Sequence, residues 1–171
     1  MPFSSGTTKA NMSYNYTKTV GLGTAQLIVN PSPDLTTWGS TDAINGVQLM
    51  YTSDDLSVLL ASPTSLDLVS ALIDPLTGTA QTWTKVKQIY IKNNSTTAGN
   101  TIKLNGNFIT SSVLGGTTPY LILDAGGSIL LKSPSLAGYT VTATSADTIT
   151  LQGLVADVTV DLILLGIGTV A

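Results

Sequence analysis

The sequence predicts an all-β fold, an antiparallel β-sandwich of jelly-roll-like type with an extended N-terminal arm. Three observations predict it. Six or seven short strand-like runs recur about every 8–12 residues, divided by Gly, Asn and Asp turns. Thr and Val are abundant in those runs, as a pleated, half-buried surface favours. No long helical pattern alternates with them, so the βαβ repeat of a parallel sheet is missing. At 171 residues the chain is long enough for one domain with a substantial core, plus a small appendage.

Residues 1–20 read as the arm. They are polar, hold Lys9 and Lys18, and include no acidic residue. Residues 21–60 are expected to add strands or loops that pack on the core. They include the apolar run Gln26–Val29, the proline-punctuated Asn30–Pro33, and a strand-like patch at Val47–Tyr51. The sandwich itself is expected over 61–171. Residues 56–73 are ambiguous between strand and helix, with Pro63 interrupting any helical stripe. Asp74–Gly78 reads as a turn.

From Trp83 the β signal is clearer. Lys85–Lys92 places Ile89 and Ile91 on one face. Thr101–Leu104 alternates and ends at the turn pair Asn105-Gly106. Tyr120–Leu123 and Ser128–Leu131 bracket Asp124–Gly127, which suggests a hairpin. Tyr139–Ala143 and Thr148–Leu151 suggest a second one across Thr144–Asp147. Val158–Leu162 alternates and then becomes uniformly apolar to Ile167.

Composition excludes much chemistry. Only 10% of residues are charged and the formal net charge is -3. The basic residues are all Lys and the acidic ones all Asp, with no His and no Cys. Ser-His-Asp and Cys-His triads cannot be assembled, and imidazole or thiolate metal sites cannot form. Seven scattered lysines make no basic face, so nucleic acid is not an expected partner. No run approaches the roughly 20 apolar residues of a membrane span, and the N-terminus lacks the apolar core of a signal peptide. Neither a cofactor nor a metal is expected.

The remaining candidates are modest. Asp54-Asp55 is the only adjacent carboxylate pair and reads as a solvated turn rather than an acid/base or calcium site. Asp157 and Asp161 are about 13 Å apart along one strand, too far to cooperate. Gly21-Leu22-Gly23 lacks the rest of a dinucleotide fingerprint and reads as a connector. Tyr90, Tyr120 and Tyr139 are expected in the core. Tyr14, Tyr16, Lys18 and Trp38 are the expected contacts with another chain, because Tyr and Trp are favoured interface anchors. No catalytic residue is assigned.

Two further features point to assembly. Sparse charge leaves a neutral Thr, Ser and Asn exterior, or a surface taken up by partner chains. The runs Leu121–Leu123, Ile129–Leu131 and Leu162–Leu165 are apolar on both faces, whereas a half-exposed strand alternates. One face enters the sandwich, and the other must meet the N-terminal segment or a neighbouring subunit.

The strand Lys85–Asn93 (KVKQIYIKN), the stretch Leu130–Ala143 (LLKSPSLAGYTVTA), the SADTITL strand and the closing Val158–Gly166 (VTVDLILLG) resemble small β-sandwich virion proteins of tailed bacteriophages. That family includes head decoration (cement) proteins and fibre or spike modules, and the resemblance covers residues 64–171. It implies a homo-oligomer, a trimer, with a non-enzymatic role on a virion made in the host cytoplasm. The major capsid protein or other virion subunits would be its partners, with no membrane and no nucleic acid involved. The rival readings are a receptor- or glycan-binding tail-fibre module, an enzyme acting through an Asp pair in a cleft, and a bacterial surface or pilus subunit.

Overall fold

A computed structural model describes residues 5–10, 14–20, 23–29, 34–39, 46–70, 72–74, 78–133 and 135–170, the first four stretches as backbone only. The fold is all-β and its ladders are antiparallel. Strands β1 (Ser5–Ala10), β2 (Tyr14–Val20), β3 (Gly23–Val29) and β4 (Asp34–Gly39) come first. There follow β5 (Leu49–Val58), β6 (Thr64–Asp67), β7 (Leu72–Ile73), β8 (Ala80–Asn93) and β9 (Ile102–Asn105). After a π-helical turn at Ile109–Val113 come β10 (Leu121–Leu123), β11 (Ser128–Lys132), β12 (Tyr139–Thr140), β13 (Thr148–Gly153) and β14 (Val158–Val170).

A six-stranded sheet runs in the order β11-β8-β14-β5, with the short β7 and β12 also pairing with β8. A four-stranded sheet runs β10-β9-β13-β6. Alternation decides what each buries. Ile89, Ile91, Leu162 and Leu164 of the first sheet and Leu66, Ile102, Leu104, Ile149 and Leu151 of the second belong to one core. Trp83 and Phe108 are also fully buried there.

Both expected hairpins are absent. β10 pairs with β9 in one sheet while β11 pairs with β8 in the other, so Asp124–Gly127 carries the chain between sheets. Likewise β12 joins β8, and β13 joins β9 and β6. Turn chemistry marks where a chain reverses, and says nothing about which strand it pairs with afterwards. Asn105-Gly106 is a turn, with Gly106 at φ +101°, but it opens the long connection to β10 rather than a hairpin. There the Asn107 side chain locks the Thr144–Thr148 corner: its carbonyl accepts from Asp147 N–H, Thr148 N–H and the Thr148 hydroxyl. Among the described residues of 56–73 there is no helix; β5, β6 and β7 share them.

Residues 1–20, read as an arm, contain two strands. β1 pairs with β4 and β2 with β3, each pair a two-stranded ribbon of its own. In the second of these, Val20 opposes Gly23. Neither ladder joins the two larger sheets. Of the segment 21–60, β5 is a full edge strand running along β14.

Candidate functional site: the outer face of the six-stranded sheet

The residues of β8, β11 and β14 that do not face the core line up across the sheet. One row is Leu130–Tyr90–Ile163–Thr52, read along directly opposed positions. The next is Lys132–Gln88–Leu165–Met50. Leu130 and Tyr90 are half-buried, Met50 is exposed at 38%, and Ile163 packs with Leu165 against the buried Val47. Val47 is held there by the following backbone, since Gln48 N–H donates to the Gly166 carbonyl at 2.8 Å. An apolar band of half-buried Leu130, Tyr90 and Ile163 therefore lies on the outside of this sheet, beside the buried Leu165 and Gln88 and the half-buried Lys132.

The four-stranded sheet is different. Its outer positions include Ser65, Asp67, Thr148, Thr150, Gln152 and Lys103, with Ile122 as the apolar exception. Of the both-sided apolar runs, Ile129–Leu131 and Leu162–Leu165 thus supply the band, while Leu121–Leu123 contributes to the polar sheet.

The band ends at a polar cluster made by a bulge. Ser53 opposes Leu162 and Leu56 opposes Val160, so Asp54 and Asp55 together oppose Asp161. Asp55 takes φ +53°, a left-handed conformation that Asp tolerates. The Asn94 amide donates to Asp161 Oδ1 at 2.6 Å and to Asp55 Oδ1 at 3.2 Å, and Thr159 Oγ1 donates to Asp55 Oδ1 at 3.1 Å. Lys92 Nζ stands 4.0 Å from Asp161 Oδ2. The pair expected to be a solvated turn is thus a mid-strand bulge. Asp161 joins it, but among the described residues no three acidic side chains converge so as to hold a metal ion.

The Asn94 hydrogen bond, helped by the Asp55 N–H and the Lys92 ammonium, holds the Asp161 carboxyl below the ordinary carboxylate value. That is the wrong direction for a general acid working near neutrality. Asp67 is lowered by the N–H groups of Ser70 and Val69, and Asp147 by the Asn107 amide and the Thr144 N–H. All three bind protons more weakly folded than unfolded. Their stabilisation is therefore present above the unfolded carboxylate value and is lost as pH falls through the folded ones. Without histidine, no side chain of ordinary pKa changes charge between pH 5 and 8. The urea midpoint is expected to be flat from pH 8 to 5 and to fall below about pH 4. A midpoint unchanged down to pH 2, or one already falling between pH 7 and 5, contradicts this.

Beside the cluster lies a shallow cavity of about 370 Å³ lined by Ser57, Asn94, Ser95, Thr97, Asp157 and Thr159. Asp157 Oδ1 accepts from Leu60 N–H at 2.7 Å, so that carboxylate fixes the β5–β6 loop.

Of the aromatic residues expected in the core, Tyr139 packs against it and donates its hydroxyl to the Lys132 carbonyl. Tyr90 instead lies on the outer band. Tyr120 is 54% exposed with the Lys103 ammonium 4.9 Å from its ring centre. Tyr14, Tyr16 and Lys18 fall on β2 and Trp38 on β4, and their side chains lie outside the described residues. Sequence reasoning missed Tyr90, Met50 and Thr52 as surface residues of the band; the apolar–polar alternation of β8, with Ile89 and Ile91 inward, already assigned Tyr90 to the other face. No family model, curated protein or solved structure matches the chain.

Proposed function

We propose that this chain is a non-enzymatic structural subunit of a phage virion, a capsid decoration (cement) protein that assembles as a homotrimer and binds neighbouring capsid subunits. The observation that carries the reading is the contrast between the two outer faces: a half-buried apolar patch of Leu130, Tyr90 and Ile163 on the six-stranded sheet, and a hydroxyl, amide and charged surface with Ile122 as its apolar exception on the four-stranded one. An apolar band of this kind is stabilised by removal from water at about 25 cal/mol per Å². Repetition on a symmetric shell adds avidity, so each contact with the capsid can be weak.

Strand order supports a jelly-roll sandwich as the scaffold. With the eight principal strands β5, β6, β8, β9, β10, β11, β13 and β14 taken in sequence, the first pairs with the last, the second with the seventh, the third with the sixth and the fourth with the fifth. That is a long hairpin of four strand pairs rolled up, an architecture shared by viral capsid and lectin domains.

Two experiments test the proposal. Mass spectrometry of purified phage particles from the genome that encodes the chain should detect it in fixed proportion to the major capsid protein; particles lacking it contradict the reading. Ile163→Asp combined with Leu130→Asp should turn the assembled protein into folded monomers in size-exclusion chromatography with light scattering. Thr150→Asp, on the outer face of the other sheet, should leave assembly intact. Equal effects of the two changes contradict the assignment of the face.

The alternative is the receptor- or glycan-binding module of a tail fibre, which the cavity at Ser57, Asn94 and Asp157 favours. Its lining offers hydroxyls, an amide and a carboxylate but no aromatic ring on which a sugar could stack. Binding on a glycan array that is lost with Asp157→Ala would favour this alternative over decoration.

A further inference from the structure

We propose that the end of the sandwich where the β5–β6 and β13–β14 loops meet is the surface that contacts the capsid, and that its partner there is an apolar protein surface presenting a lysine or arginine. This rests on the decoration reading above and names the contact with the shell, apart from the band through which copies meet.

Pairing brings the two loops together. Val58, the last residue of β5, opposes Val158, the first of β14, so one loop leaves the sheet where the other enters it. Hydrogen bonds then fix them. Gly153 N–H donates to the Leu59 carbonyl at 3.2 Å, Leu60 N–H to Asp157 Oδ1 at 2.7 Å and Leu154 N–H to the Thr101 carbonyl at 3.0 Å. A Cβ on Gly153 would stand 2.3 Å from the Ala156 carbonyl oxygen, so the turn that follows is tight. Loops held in this way lose little conformational entropy when a partner binds.

These fixed loops carry apolar side chains into solvent. Leu59, Leu60, Leu154 and Val155 are 38% to 60% exposed, and all four lie between strands. A single exposed aliphatic residue is ordinary; four on two joined loops mark an interaction surface.

Charge selects the partner. Asp157 ties down Leu60 and also lines the cavity of about 370 Å³ with Ser57, Asn94 and Thr159. Asp55 and Asp161 are bonded to the Asn94 and Thr159 of that wall, and Asp54 precedes them in the bulge. Of the five lysines whose side chains are described, Lys92 stands with these carboxylates, 4.0 Å from Asp161. Lys103 opposes Gln152, whose amide donates to the Leu60 carbonyl, but its ammonium lies over the Tyr120 ring. Lys87 is buried, Lys85 opposes Ile167 and Lys132 opposes Gln88, away from these loops. One cation therefore stands among four carboxylates. Covering Leu60 takes Asp157 out of water with it, and an unpaired carboxylate is costly to desolvate. A partner that brings its own cation into the cavity removes that penalty and fixes the register of docking.

Shells of the encoding phage with this gene deleted are mixed with purified full-length protein and pelleted. The wild type is expected to pellet with the shells. Leu60→Ser/Val155→Ser should bind about tenfold more weakly or worse. Asp157→Asn keeps an acceptor for Leu60 N–H; it should bind about threefold to tenfold more weakly and respond less to NaCl between about 0.05 and 0.5 M. Ile73→Ser, an exposed apolar residue opposite Ala80 at the far end of β8 from Asn94, should bind as the wild type does, and urea midpoints should show every variant folded. Undiminished binding by Leu60→Ser/Val155→Ser overturns the loop surface and leaves the decoration reading standing. A wild type that stays in the supernatant overturns both. Asp157→Asn binding with wild-type strength and salt response overturns the basic partner. Dissociation of the oligomer by Leu60→Ser/Val155→Ser would make the loops a contact between copies. Flotation of the wild type with phosphatidylcholine vesicles, lost in that variant, would assign them to a lipid surface. Either result overturns the inference.

Discussion

Gly166→Ala is expected to destabilise the protein by about 3 kcal/mol or more, enough to leave much of it unfolded. A Cβ at this position would stand 2.1 Å from the Lys85 carbonyl oxygen and 2.7 Å from the Trp83 ring. Neither neighbour can yield. Lys85 is in the ladder that pairs β8 with β14, and Trp83 is 1% exposed within the core. Gly166 also sits where the β14–β8 register shifts, so the contact strains the longest ladder in the molecule. The control is Gly126→Ala. Gly126 has φ +73° but nothing within 4 Å of a Cβ, and the change should cost only about 1–2 kcal/mol. Urea unfolding followed by tryptophan fluorescence separates the two. Equal midpoints for both variants would mean that the close approach of β14 to β8 is not as described.

Lys87→Ala is expected to cost about 2–4 kcal/mol. Lys87 is the residue extra to the β8–β14 register, since Gln88 opposes Leu165 and Val86 opposes Gly166. It is completely buried. Its stem runs under the 135–138 turn, where a Cβ on Gly138 would come 3.1 Å from Lys87 Cδ. Its ammonium donates to the carbonyls of Ser135 and Leu136. Truncation removes the packing and leaves two carbonyls without this donor. Lys87→Met keeps the stem and should cost less than half as much. If the methionine variant is the less stable of the two, the ammonium contacts rather than the packing hold the loop.

These two residues also mark the limit of what a sequence can disclose. Alternation was legible where strands have one wet and one dry side: Ile89 and Ile91, Ile102 and Leu104, Ile149 and Leu151 are buried as their spacing predicts. The double-sided apolar run at 162–165 does bury part of its second face, where Leu165 and Ile163 pack with Val47. Pairing was not legible. Successive strands repeatedly change sheets, and the local turn signals at Asp124–Gly127 and Thr144–Asp147 are the same whether the chain makes a hairpin or a crossover. The bulges at Asp54-Asp55 and Lys87 depend on the register of β14, over seventy residues away, which leaves no local trace. The β2–β3 ribbon had a signal that was passed over: Tyr14-Asn15-Tyr16-Thr17 alternates, and Gly23, read only as part of a connector, opens β3.

The account stands on the outer face of the six-stranded sheet being covered by sister molecules. Sedimentation equilibrium of the full-length protein near neutral pH tests this most directly. The expected result is a closed oligomer, a trimer of three 17.6 kDa chains, that persists on dilution. A single species at 17.6 kDa across the whole concentration range would contradict it.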